Sequence, residues 1–241
     1  MLGVLIPSGA QAGLLDRLLG ERLASVEEGS YVAGDNVRFD IRHDGGTFLL
    51  HFPGDAEVFV LSPDRTSFGA KVLRYDSGET AIRVSGWGAL TLYTDAQPNG
   101  LPAARTGDAP PLAPSPVSLQ DVQFIAAQEA ARLRHRHLRV AFTVDWSVLE
   151  TSADLRATAS EAMGNAALAI DKFVQDRDAR KILAKRIDKV TLATGLQPSL
   201  RIEQKTLIVT FNPEHGYAGC GSSRWVLRTL SSLLGTRKKP G

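Results

Sequence analysis

The amino-acid sequence predicts an α+β protein: a small N-terminal antiparallel β-rich domain, followed by a C-terminal domain of helices packed on an antiparallel sheet. Three observations lead there. Between residues 30 and 97 apolar side chains recur at every second position, and Gly, Pro and Asp break the runs at short intervals. Beyond residue 118 the apolar period lengthens to that of helices with a few strands between them. Separating the two, residues 98–117 hold Pro98, Pro102, Pro110, Pro111, Pro114 and Pro116 with few large apolar side chains, the composition of an extended linker.

The chain opens with a short apolar run from Leu2 to Ile6, then Pro7-Ser8-Gly9 and the small-residue pattern Ala10-Gln11-Ala12. That is the cleavage half of a secretory signal peptide, so residues 1–12 are expected to be a truncated signal peptide. The mature chain then begins near Gly13, in the periplasm or outside the cell. Residues 13–29 form an amphipathic segment, with Leu14, Leu15, Leu18, Leu19 and Leu23 on one face and Asp16, Arg17, Glu21 and Arg22 on the other.

In the β-rich domain, 30–97, Val37, Phe39 and Ile41 alternate with Arg38, Asp40 and Arg42, which gives a strand one apolar face. Further strands are expected at 47–52, 57–61, 70–75, 80–85 and 90–94, divided by turns such as Asp44-Gly45-Gly46 and Pro53-Gly54-Asp55. Strands this short and this regularly spaced suit an antiparallel meander, a sandwich or a small barrel.

In the α+β domain, 118–235, Ser118 caps a helix whose apolar face is Leu119, Val122, Ile125 and Leu133. Val140, Phe142, Val144 and Trp146 then alternate as a strand. Ser152 caps the longest helix, striped by Leu155, Ala159, Met163, Ala166, Ile170 and Phe173, and Asp176 starts another. Strands at 190–194, 199–203 and 206–211 come next, the last two joined at Gln204-Lys205. A closing helix runs over 223–234 and stops at Gly235, leaving residues 236–241 as a basic tail.

Composition narrows the classes. At 241 residues with 43% hydrophobic and 22% charged side chains, the chain is long enough for two modest cores. No apolar run approaches the ~18 residues of a transmembrane helix. Cys220 stands alone, which excludes an intrachain disulfide or a Cys-rich zinc site. The formal charge of +2 divides into −5 for residues 13–117 and +7 for 118–241. The cations are dispersed along helices and read as a solvated face rather than a nucleic-acid surface.

The run Tyr75-Asp76-Ser77-Gly78-Glu79 with Ile82-Arg83-Val84, then Gly88-Ala89-Leu90-Thr91-Leu92-Tyr93-Thr94 and Pro98-Asn99-Gly100-Leu101-Pro102, carries a family resemblance. The segments Phe142-Thr143-Val144-Asp145-Trp146 and Gly216-Tyr217-Ala218-Gly219 with Ser222-Ser223 belong to it too. Together they resemble a domain-of-unknown-function family of exported alphaproteobacterial proteins, over about residues 30–234. The resemblance implies a periplasmic location and supplies no functional residue.

Gly216, Gly219 and Gly221 lie between a strand and a helix that begins Ser222, Ser223, Arg224. Free first-turn N–H groups, the helix dipole and a guanidinium together make this loop the candidate anion-binding site. Cys220 sits in the same loop, yet no His comes after it as a thiol protease needs, so it is read as a small packing side chain. His135 and His137 flank Arg136 among further cations, a basic helix end rather than a metal site. Trp87, between two glycines at a hairpin tip, is the candidate partner contact. No catalytic residue, metal ligand or cofactor motif is assigned. The expected function is a non-enzymatic envelope module that binds an envelope protein or polymer; the alternative is a hydrolase or transferase acting on an envelope component, with its site in 216–224.

Overall fold

The computed structural model describes residues 26–65, 71–86, 88–112 and 116–236. The signal-peptide reading of 1–12, most of the amphipathic segment 13–29, Trp87 and nearly all of the tail 236–241 lie outside the described residues. The first eight strands are β1 (Gly29–Ala33), β2 (Val37–Asp44), β3 (Thr47–His51), β4 (Val58–Arg65), β5 (Lys71–Tyr75), β6 (Thr80–Val84), β7 (Leu90–Thr94) and β8 (Gln97–Gly107). They pair in sequence order, all antiparallel, and β8 returns to β1, so the sheet closes into a barrel rather than remaining open. The period-2 pattern sends Phe39, Ile41, Leu50, Leu61, Ile82 and Leu92 inward, where they are fully buried. An eight-stranded barrel is narrow enough for its own side chains to fill, and the inward apolar residues pack here as one core.

The linker expected over 98–117 is corrected by β8. Its register matches Leu92 with Leu101 and Thr91 with Pro102 on one side, and Tyr31 with Arg105 on the other. Two prolines and the small residues Ala103 and Ala104 hide this strand, because its side chains are mostly exposed and show no apolar alternation. Gly100 is required: φ is +84°, and a Cβ there would come within 2.6 Å of Thr91 and 2.8 Å of Tyr93. The β domain therefore extends to Gly107. Beyond it the chain is fastened to the barrel by Arg42, which donates to the carbonyls of Ala109 (2.6 Å) and Pro110 (2.8 Å).

The second half contains α1 (Leu119–His135), β9 (Ala141–Val144), α2 (Trp146–Leu149), α3 (Ala153–Phe173), α4 (Arg177–Arg186), β10 (Lys189–Thr194), β11 (Ser199–Glu203), β12 (Thr206–Phe211), a 3-10 segment (Pro213–Gly219) and α5 (Ser223–Leu233). The predicted caps form. Ser118 and Asp121 make a reciprocal capping box, Ser152 accepts from the Leu155 N–H at 3.3 Å, and Asp176 accepts from Asp178 and Ala179.

The sheet order is β11-β12-β10-β9, and it is mixed, not antiparallel as expected. Both β9–β10 and β10–β12 are parallel, while β11–β12 is a hairpin turning on Gln204 and Lys205, both at positive φ. Side-chain alternation carries no strand direction. The helices between β9 and β10 carry the chain back across the sheet, as a parallel pair requires. The buried row Ala159, Ala162, Ala166 and Ala169 lets α3 lie at the centre, against α1, α5 and the sheet. Among the described residues no helix is long and apolar enough to cross a membrane.

Candidate functional site

The predicted anion loop is assembled, and the N–H and hydroxyl donors of Ser222 and Ser223 are already engaged. The Ser222 N–H and Oγ donate to Asp76 at 2.7 and 2.5 Å, and the Ser223 N–H and Oγ donate to Glu57 at 2.6 and 2.7 Å. Ser222 also caps α5 by accepting from the Trp225 N–H. The two carboxylates come from the barrel, so the helix N-terminus holds the protein's own anions as a joint between its two halves. Burial raises the pKa of both Glu57 and Asp76 from the ordinary range, against the hydrogen bonds from Ser223 and Ser222, which lower it.

Arg224 is held to the barrel as well, although its Nε is buried without a hydrogen-bond partner. Its guanidinium pairs with Asp95 at 2.7 Å and lies 4.3 Å from the centre of the Tyr75 ring. Burial pushes the Tyr75 hydroxyl up to about 12. One turn on, Arg228 donates to the Ser77 carbonyl.

The loop glycines serve close packing. A Cβ on Gly219 would stand 1.8 Å from the Asn212 carbonyl oxygen, and one on Gly221 would meet the Trp225 ring at 2.3 Å. Gly216 adopts φ +49° with open space around it. Cys220 is buried, its thiol donating to the Thr158 carbonyl at 3.4 Å, and burial pushes its pKa up, so the thiol stays protonated.

A different site lies beside this joint. A cleft of about 570 Å³ opens where the barrel, α3, the 3-10 segment and the connecting segment meet. The barrel contributes His51, Ala56 and Val58, α3 contributes Asp154, Thr158 and Glu161, and the 3-10 segment contributes Glu214 and Tyr217. Leu112 and Val117 of the connecting segment supply apolar wall.

Glu161 is the unusual group. Its Oε1 is buried without a hydrogen-bond partner. Burial, aided by the charge of Glu57, raises its pKa to about 7 against a hydrogen bond from the Val58 backbone that lowers it. Tyr217 is also raised, first by burial and then by the charge of Glu161. At the rim, His51 Nε2 lies 3.0 Å from the Asp55 carbonyl, and its Nδ1 lies 3.9 Å from Asp40, which accepts from Ser30 Oγ at 2.6 Å.

Of the predicted site residues that are described, the structure brings Ser222, Ser223 and Arg224 together at the barrel, and Gly216 alone reaches the cleft. Sequence reasoning passed over Glu161, His51 and Tyr217 as a set. One signal was present: Thr158, Glu161 and Asn165 recur at i, i+3 and i+7 on the longest helix, in a polar stripe flanking its alanine row. Two of them are buried, and Asn165 donates to the Gly221 carbonyl at 3.2 Å.

The family model described as a domain of unknown function, DUF4908, matches residues 15–230. No curated protein and no solved structure matches the chain.

Proposed function

This chain belongs to the DUF4908 family, and within it we propose a non-enzymatic binding module of the cell envelope, with its ligand held in the cleft between barrel and α+β domain. One observation carries the reading. Glu161 lines a cleft of small-ligand size while one of its oxygens is buried with no partner, and such a group is costly until something donates to it. The ligand's source is an envelope protein or polymer. The envelope placement rests on Ala10-Gln11-Ala12 behind its apolar run.

Two experiments test these statements separately. A fragment library screened by amide chemical-shift mapping is expected to move Val58, Ala157, Glu161 and Tyr217 together, with hits lost in Glu161→Gln and Tyr217→Ala. Hits scattered over the surface, or none, overturn the cleft as a binding site. Fractionation of cells expressing the gene with its natural upstream sequence is expected to place the protein in the envelope, cleaved after Ala12. Retention in the cytosol with an intact N-terminus overturns that placement.

A second reading, a hydrolase or transferase acting on an envelope component, draws on one observation: a carboxyl group titrating near 7 suits general acid–base catalysis. It moves the chemistry from 216–224 to Glu161. Envelope fragments recovered chemically altered by wild type and unaltered by Glu161→Gln favour the enzyme; fragments bound and recovered intact favour the binding module.

A further inference from the structure

We infer that the cleft takes a cation, an ammonium or guanidinium group on an apolar stem, with Glu161 as its counter-ion; this deepens the binding reading above and rests on it.

The walls set the sign of the charge. The carboxylates lining the cleft are Asp154, Glu161 and Glu214, and neither Lys nor Arg lines it among the described residues, although the half of the chain that supplies these groups carries +7. An anionic ligand would meet the exposed carboxylates Asp154 and Glu214 at the mouth and the buried Glu161 carboxyl within, with no Lys or Arg among the described residues to offset them. A neutral hydroxyl would satisfy the orphan oxygen of Glu161 and gain nothing further. A charged N–H donor does both, and charge-assisted hydrogen bonds are the stronger class. Val58 and Leu112 suit an alkyl stem behind the charged head.

The protonation of Glu161 gives the inference its signature. Burial holds the carboxyl at about 7, so near neutral pH it is shared between neutral and ionised forms. The titratable groups around it are Asp154 on its own helix, His51 and Glu57 from the barrel, Glu214 and Tyr217 from the 3-10 segment, and Cys220 behind it. A cation binds the ionised form, so binding releases a proton below that midpoint. At pH 6 about one molecule in ten has Glu161 ionised and at pH 8 nearly all do, which predicts a roughly tenfold gain in affinity between them.

The test is calorimetric titration of the full chain with n-hexylamine, 1-hexanol and hexanoate at pH 6 and pH 8. The amine stays protonated at both. Hexylamine is expected to bind best, about tenfold more tightly at pH 8, while hexanol binds more weakly with no pH dependence. Glu161→Gln, close in shape, is expected to lose at least tenfold for hexylamine together with the pH dependence, whereas His51→Gln keeps the pH dependence. Asp154→Asn combined with Glu214→Gln should weaken the amine severalfold, which gives a second variant distant from the buried carboxyl. Hexanol or hexanoate binding in the cleft as tightly as hexylamine overturns the cation and leaves the cleft reading standing. Hexylamine binding that is indifferent to Glu161→Gln overturns the assignment of the counter-ion. If none of the three probes shifts a cleft resonance, the cation inference falls and the fragment screen alone decides the cleft.

Discussion

Replacing Glu161 by Gln should stabilise the protein in a pH-dependent way. The folded protein holds the Glu161 proton up to about 7, whereas the unfolded chain releases it near 4.5. Between those values unfolding sheds a proton, so this group's contribution to stability is fully present below 4.5 and is lost as pH rises through 7. The displacement corresponds to about 3 kcal/mol, reduced to about 2 kcal/mol by the solvent contact the side chain keeps. Gln cannot ionise and can still accept from the Val58 backbone, so it escapes the cost at high pH. Urea unfolding, followed by tryptophan fluorescence with Trp146 and Trp225 packed on the same core as α3, measures both proteins at pH 5 and pH 8. The variant is expected to match wild type within about 0.5 kcal/mol at pH 5 and to exceed it by about 2 kcal/mol at pH 8, a rise of ~4–8 °C in Tm. A difference that does not change with pH, or a less stable variant at pH 8, refutes the upward shift and shows that the Val58 hydrogen bond offsets the burial of Glu161 in full.

The joint between the halves supplies the remaining predictions. Glu57→Ala strands the Ser223 N–H and Oγ and should cost about 2 kcal/mol; limited proteolysis should then open the segment between Asp108 and Ser118, and an unchanged digestion pattern contradicts the joint. Inorganic phosphate should leave the amide resonances of Ser222 and Ser223 unmoved, since Asp76 and Glu57 occupy their donors; saturable shifts that vanish in Arg224→Ala would restore the loop as an anion site. Gly219→Ala forces a Cβ into the Asn212 carbonyl and should cost several kcal/mol, on the order of 3 or more, read as a Tm drop near 10 °C; a wild-type melting curve refutes that packing. The Cys220 thiol should resist iodoacetamide in the folded protein and react on unfolding, whereas fast labelling of the native state contradicts its burial.

The legible parts of the fold are those in which a strand or helix shows an apolar face of its own. Alternation at Phe39 and Ile41 announces β2, and the stripe from Leu155 to Phe173 announces α3 with its Ser152 cap. Strand β8 escapes notice because closing the barrel asks only for backbone pairing, and Ala103 and Ala104 satisfy that without a pattern. The parallel sheet escapes because direction is set by the connection, not by the strands themselves. The same division runs through the site. Ser222, Ser223 and Arg224 are recognisable as donors at a helix start, but the acceptors of the two serines, Asp76 and Glu57, lie 146 and 166 residues away, and Arg224 pairs with Asp95 of the barrel. Glu161 reads in the sequence as one more polar residue on an amphipathic helix. Only the docking of the barrel, through Val58 and Glu57, turns that face inward and leaves a carboxyl oxygen without a partner.

The most direct measurement is a titration of the Glu161 side-chain carboxyl by carbon-detected NMR, first on the free protein and then with saturating n-hexylamine. The midpoint is expected near 7 in the free protein and is expected to move down once the amine is bound, because a cation in the cleft favours the ionised form. A free midpoint at the ordinary 4.5, unmoved by the amine, would show Glu161 to be a solvated surface carboxylate and would contradict the cleft as this protein's binding site.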